Sequence, residues 1–180
     1  MSSVPSGVRI AQTVGLTGAA WLSGNIAALS VNVIPALLQS HREEQIPLSI
    51  TVKQFRNMYE NGKAQNPPIA LVTAVAFGYL AWAARSESTF PLAVQNSTCA
   101  CVSSLYLTAA VLTLGIVPWT LATMRRTNQG LLDKANSTWV PDEKSSVDTV
   151  ESFERWIVLN AVRSLFPLAG GIIGLVAVFS

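Results

Sequence analysis

The sequence predicts an all-α membrane protein: a bundle of four transmembrane helices, with a short amphipathic interfacial helix between the first two spans. Three observations carry that expectation. Half of the 180 residues are hydrophobic and only 12% are charged, against about 25% in an ordinary soluble domain. The charges are clustered, leaving Ile10–His41, Ala64–Ala84, Ser88–Met124 and Ser164–Ser180 without a formal charge if His41 is neutral. Each stretch is close to or above the ~20 apolar residues a helix needs to cross a bilayer core. Finally, proline, aromatic and capping signals fall at the ends of these stretches, where helices begin, kink or leave the membrane.

The same numbers exclude other classes. A soluble enzyme, a disordered chain and a nucleic-acid binder are all at odds with this composition, and a net charge of +2 is too small to imply a polyanionic partner. The expected surroundings are a lipid bilayer, and the length suits one membrane domain over residues 1–180. The first apolar stretch is too long for a signal-peptide core and reads as a span. Cys99 and Cys101, at i and i+2, point in divergent directions on a helix and read as small packing residues rather than a disulfide.

The first span is expected over about residues 8–38. Its run Ala19–Ala28 is rich in small residues that let helices approach closely, and Asn25 and Asn32, seven apart, are expected on that same interior face. Pro35 marks a kink or the exit from the bilayer. The interfacial helix is expected over about residues 51–61. Thr51 and Gln54 have capping-box spacing, Val52, Phe55 and Tyr59 recur at helical intervals, and Gly62 closes it. Pro67 and Pro68 then open the second span, about 66–84, at the position where helices tolerate proline.

The third span reads as about 98–124, with Pro118 suggesting a kink and Trp119 an interfacial anchor. A polar loop over 125–147 follows. The last helix is expected to open at Asp148 and Glu151, again at capping-box spacing, with its membrane part over about 156–179. Within it Gly170 and Gly174 form a GxxxG packing pair, compatible with a homo-oligomer. Lys and Arg crowd the two longer connections and leave only Arg9 and Arg85 on the other side. That bias places those connections in the cytosol and both termini on the outer or lumenal side. The sequons at Asn96 and Asn136 then fall on opposite sides, so at most one is a glycan acceptor.

Most enzyme signatures are missing. His41 is the only histidine, no carboxylate falls inside a span, and no ligand set suits zinc or non-haem iron; no metal site is expected. No glycine-rich turn follows a strand, so a flavin or nicotinamide fold has no support. The anomaly is Arg163, about 10 Å along the helix beyond Trp156. An arginine near the centre of a span costs at least ~2.5 kcal/mol. Asn160, Arg163 and Pro167 share one face, with Trp156 a turn earlier, beside Asn25 and Asn32 if the helices adjoin. Two readings stay open. Arg163 snorkels to the headgroups or helix-end carbonyls, or it awaits an anionic oxygen on a ligand, because no acidic partner exists in the membrane. Tyr59 and His41 are the candidate acid–base residues, each also readable as an anchor or a loop residue. Thr127 and Asn128 are expected just past the third span, where they cap that helix or bond a ligand.

Taken in order, these pieces resemble a family. Gly24 through Pro35-Ala36-Leu37-Leu38, Tyr59-x-x-Gly62 with Pro67-Pro68, and Pro118-Trp119-Thr120 with Met124 come first. Thr127-Asn128 with Leu131, then Trp156 leading to Asn160-x-x-Arg163 and Pro167-Leu168, complete a set that spans most of the chain. It is similar to the small four-helix membrane anthrone oxygenases of fungal polyketide pathways. The resemblance implies a monooxygenase that converts a polyketide anthrone to an anthraquinone with O₂ as co-substrate and no cofactor, in an endomembrane such as the endoplasmic reticulum. It implies that Arg163, assisted by Asn160, holds the developing oxyanion and that Tyr59 or His41 moves the proton. Asn25, Asn32, Trp119, Thr127, Asn128 and Trp156 are then the candidates to line the substrate. Relatives commonly carry histidine where this chain has Asn160, and asparagine cannot act as a base. A non-catalytic bundle subunit or assembly factor, or a polyketide tailoring enzyme with a different reaction, are the alternative readings.

Overall fold

The computed structural model describes residues 4–85 and 98–180, with side chains placed from residue 100 onward in the second stretch. All regular structure among them is helical: α1 (Ser6–Ala28), a π-helical turn π1 (Leu29–Val33), α2 (Ile34–Glu43), α3 (Leu48–Arg85), α4 (Thr98–Leu114), α5 (Ile116–Trp119), a second π-helical turn π2 (Thr120–Met124), α6 (Arg125–Asn136) and α7 (Glu143–Phe179). Joined end to end, they give four helices long and apolar enough to cross a membrane: Ser6–Glu43, Leu48–Arg85, Ala100–Asn136 and Glu143–Phe179. Each has 37 or 38 residues, or about 56 Å at 1.5 Å per residue, well beyond a ~30 Å hydrocarbon core. The sequon at Asn96 and the side chain of Cys99 lie outside the described residues; Cys101 is exposed, and Asn136 is the last residue of α6.

By contacts the chain forms two compact units. The first comprises residues 1–23, 67–116 and 165–180, the second residues 24–66 and 117–164. Charge separates them sharply. Among the described residues every Asp and Glu belongs to the second unit, as does every Lys and Arg except Arg9 and Arg85.

The first unit is built from small residues. Ala19, Ala74, Ala81, Ala109, Ala110 and Ala177 surround Phe77 and Tyr106, whose rings stack at 6.4 Å between centroids. The Gln12 amide donates to the Tyr106 hydroxyl at 3.3 Å, and Arg85 Nε reaches Ser103 Oγ at 2.8 Å. Outward it carries Ile10, Leu71, Val72, Val75, Trp82, Val111 and Ile172, all more than half exposed. So large an apolar exterior is unusual for a protein surrounded by water. Gly170 comes close to backbone: a Cβ there would stand 2.9 Å from the Ala109 carbonyl oxygen and from Thr113 Oγ1. Because one of those atoms is backbone, α4 and α7 would have to part. Gly170→Ala is therefore expected to lower stability by about 1–3 kcal/mol, seen as a lower melting temperature in detergent. Gly78→Ala, where a Cβ meets nothing within 4 Å, should be neutral or stabilising.

The second unit has a core of larger side chains, with Phe55, Phe153, Trp156, Met124, Leu131, Ile34 and Val52 all essentially inaccessible. Here the structure corrects the sequence reading. The segment expected as a separate interfacial helix is the first half of α3, which runs unbroken through Pro67 and Pro68. Both prolines face outward, as do Lys63 and Ala64, whose carbonyls lose their donors, so the freed groups are open to solvent instead of stranded in the core. The apolar face of Val52 and Phe55 is as expected, but it covers this unit's own core rather than a membrane surface.

Three further ends differ from expectation. The last helix starts at Glu143, not at Asp148. Asp142 and Ser145 form its reciprocal cap: Ser145 N–H donates to Asp142 Oδ1, and the Asp142 N–H to Ser145 Oγ. The Ser145 hydroxyl and N–H on its carboxylate hold Asp142 below the usual aspartate range. The third span breaks at Gly115, whose N–H is shared between the Val111 and Leu112 carbonyls. After π2 the helix continues as α6, so Thr127 and Asn128 lie inside a helix and cap nothing.

The two π-helical turns have local causes. Pro35 has no N–H for the Val31 carbonyl, and the turn before it widens so that the Ile34 N–H bonds to Leu29 O, an i→i−5 pairing. In π2 the Thr123 hydroxyl takes the Trp119 carbonyl at 2.8 Å.

Candidate functional site

The residues nominated by the sequence divide in the structure. Asn160 is completely buried, and its Nδ2 donates to the Ile26 carbonyl and to Ser30 Oγ, each at 2.8 Å. The Ile26 carbonyl only accepts, so the amide orientation is set by its partner. Both amide hydrogens are thereby spent, and Asn160 has none left for an oxyanion. Arg163, one turn further along α7, donates from Nη1 to Thr120 Oγ1 at 3.2 Å, and its guanidinium lies within electrostatic reach of Tyr59. That bond turns it toward Thr120, a residue of the same unit.

Both π-helical turns serve this cluster, since Ser30 belongs to π1 and Thr120 to π2. Turns of this kind re-aim side chains out of the regular helical register and recur at functional sites. Among the described residues, three buried side-chain atoms lack a hydrogen-bond partner: Thr51 Oγ1, Asn160 Oδ1 and Arg163 Nε. Two of the three are one turn apart on α7. A buried group left unpaired costs about 1–3 kcal/mol, so each of these atoms calls for an explanation.

Other nominees have different employment. Trp156 is 1% exposed, donates from Nε1 to Asn128 Oδ1 at 2.8 Å and meets the Phe55 ring edge-on at 5.4 Å. It is a core residue with a satisfied indole, and Asn128 is its partner. Trp119 is half-buried with its Nε1 on the Leu159 carbonyl at 3.1 Å. Thr127 is buried beside them in α6. His41 lies at the end of α2, where Nδ1 donates to the Ile46 carbonyl at 2.7 Å. That bond fastens the turn in which Gln45 adopts φ 60°, so His41 is engaged at the turn.

Asn25 is half-buried and donates to Asn66 Oδ1 at 2.9 Å, whereas Asn32 is exposed. Counting seven residues from Asn25 assumes an unbroken α-helix, and Asn32 sits inside π1, which shifts the register. Sequence reading missed Asn66 and Ser30 and named Thr120 only within the Pro118-Trp119-Thr120 piece; Asn66, a polar residue just before two prolines, also left a signal. A groove of about 280 Å³ lined by Pro35, Leu38, Gln39, Arg42, Glu43, Glu154 and Ile157 is bordered by the exposed Arg42–Glu154 ion pair at 3.1 Å. It contains none of the nominated residues. No group of three or more His, Cys, Asp or Glu side chains suited to a metal ion occurs among the described residues.

Comparison with known proteins bears on the same residues. A family model described as anthrone oxygenase matches residues 55–173, a stretch that includes Tyr59, Thr120, Asn160 and Arg163. The chain is 38% identical to an anthrone oxygenase of Aspergillus fumigatus, over 98% of this chain and 95% of the relative. It is 30% identical to an anthrone oxygenase of Claviceps purpurea, over 98% and 91%. With a noranthrone monooxygenase of Aspergillus flavus the identity is 32%, over 91% and 70%. No solved structure matches. With similarity running almost end to end and the family model enclosing the α7 cluster, the chain belongs to the anthrone oxygenase family.

Proposed function

We propose that this protein is a membrane monooxygenase that oxidises a polyketide anthrone to an anthraquinone with O₂, using no resident metal or organic cofactor. The observation that carries the site is Arg163: a guanidinium inside the second unit, tied to Thr120 through one nitrogen, with its Nε buried and unpaired. Anthrone chemistry suits such a donor. The doubly benzylic CH₂ loses a proton, and the charge passes to the carbonyl oxygen of the resulting enolate. That oxygen is where a fixed cation stabilises most, because the charge exists only after proton removal. The electron-rich carbon then reduces O₂ and bonds to it, giving a hydroperoxide. Loss of water leaves the second carbonyl, so one oxygen atom stays in the quinone and the other departs as water. The substrate itself supplies the electrons.

Tyr59, within reach of the Arg163 charge, is assigned to proton transfer; with His41 engaged at its turn, Tyr59 is the better placed of the two. The charge-rich second unit is assigned to the cytosolic side, since Lys and Arg accumulate there, in an endomembrane. The test is purified protein with emodin anthrone under air and under argon. An O₂-dependent rate well above spontaneous oxidation is expected, unaffected by chelators and with no stoichiometric iron, copper or zinc in the sample. Background oxidation alone in folded protein would overturn the assignment, and a bound metal required for turnover would overturn the cofactor-free part.

A further inference from the structure

The α7 cluster offers two different hydrogen-bonding functions. Arg163 Nε is a donor without an acceptor, and Asn160 Oδ1, three residues earlier, is an acceptor without a donor; both atoms are buried. Residues at i and i+3 on a helix are neighbours, with about 5–6 Å between Cβ atoms. The acceptor role of Asn160 follows from its surroundings: Ile26 O and Ser30 Oγ take both amide hydrogens, so only Oδ1 faces a vacancy in its hydrogen bonding. A carbonyl oxygen in that position cannot approach an oxyanion without repulsion. What it can accept is an O–H.

We infer that Asn160 is a specificity-determining residue: its Oδ1 accepts a hydrogen bond from a hydroxyl of the bound molecule, next to the oxygen held by Arg163. The ligand this pair fits is an aryl ketone with a hydroxyl on the ring position flanking the carbonyl, the carbonyl oxygen going to Arg163 and the hydroxyl to Asn160. In the free molecule such a hydroxyl bonds to its own carbonyl; engagement of that carbonyl by a cation weakens the internal bond and lets the hydrogen turn to Oδ1. A site that bonds a substrate hydroxyl discriminates strongly against the analogue lacking it, because the buried partner is then left unpaired. The inference rests on the anthrone reading for its substrate, but Asn160 would read a hydroxyl whether or not oxidation follows.

The experiment therefore has a rate arm and a binding arm. In the first, kcat/KM above background is measured for 1,8-dihydroxyanthrone and 1,8-dimethoxyanthrone with wild-type protein and Asn160→Leu; if the leucine variant fails to fold, Asn160→Ser takes its place. In the second, binding of the unreactive 1,8-dihydroxyanthraquinone and its dimethyl ether is compared in the same proteins in nanodiscs, with empty nanodiscs subtracted. Wild type should prefer the hydroxylated partner by at least about 10-fold in both arms, and the variant should bring the ratio to within about 2-fold of unity. A wild-type ratio near unity, or a variant that keeps the wild-type ratio, would refute the role of Asn160 while leaving anthrone oxidation intact. Absence of oxidation with the binding preference preserved would refute the oxidation reading and leave Asn160 its role.

Discussion

Arg163→Leu is expected to lower kcat/KM for anthrone oxidation by about 10²–10³-fold while the protein still folds and inserts. The magnitude is that of removing one preorganised donor from a developing oxyanion. Folding should survive because the guanidinium is tied to the Thr120 hydroxyl through one nitrogen, and replacing an incompletely satisfied cation by an apolar side chain removes a desolvation penalty along with that bond. Arg163→Lys keeps a charge on a shorter, single-pointed head and should recover only part of the loss. Quinone formation followed by absorbance, with a thermal melt as the folding control, measures both. Unchanged turnover in Arg163→Leu would reduce the residue to a tie between α7 and π2.

The largest stability effect is expected at Trp156. Trp156→Ala removes a wholly buried indole from contact with Phe55 and leaves Asn128 Oδ1 without its donor. The packing loss alone is about 3–5 kcal/mol, and the orphaned acceptor adds about 1–3 kcal/mol. Trp156→Phe should lose less, keeping much of the volume but still stranding Asn128, and Asn128→Leu in that background should restore part of the difference. Melting temperatures of the single and double variants in one detergent test this; additive losses would mean that the indole N–H and Asn128 are not coupled.

The four spans were legible because a bilayer penalises charge wherever it occurs, and long uncharged runs survive any error in the details. Arg163 and Asn160 were legible for the same reason, as polar residues in an apolar stretch with no acidic partner. What stayed hidden depends on breaks in helical register. A π-helical turn has no hydropathy signature, so Asn32 was placed on the face of Asn25 although π1 turns it outward, and Ser30 passed unnoticed as an ordinary small residue. Pro67 and Pro68 read as a helix start because proline inside a helix is normally costly; the outward orientation that makes them tolerable here is a tertiary fact. The place of Trp156 in the core stayed hidden because its partner, Asn128, is 28 residues away in sequence. The α7 cap moved by six residues because Asp142 with Ser145 and Asp148 with Glu151 both have the spacing of a reciprocal cap.

The claim on which the rest depends is that Arg163 holds a negative oxygen of the bound molecule. It is tested most directly by titrating protein-bound 1,8-dihydroxyanthrone under argon, where oxidation cannot proceed, and following the visible absorbance of its anion. The account predicts that the bound anthrone ionises at least one pH unit below the free molecule, equivalent to about 1.4 kcal/mol of preference for the anion, and that Arg163→Leu abolishes this shift. A bound anthrone that ionises at the same pH in wild type and variant, or only at higher pH than in free solution, would contradict it.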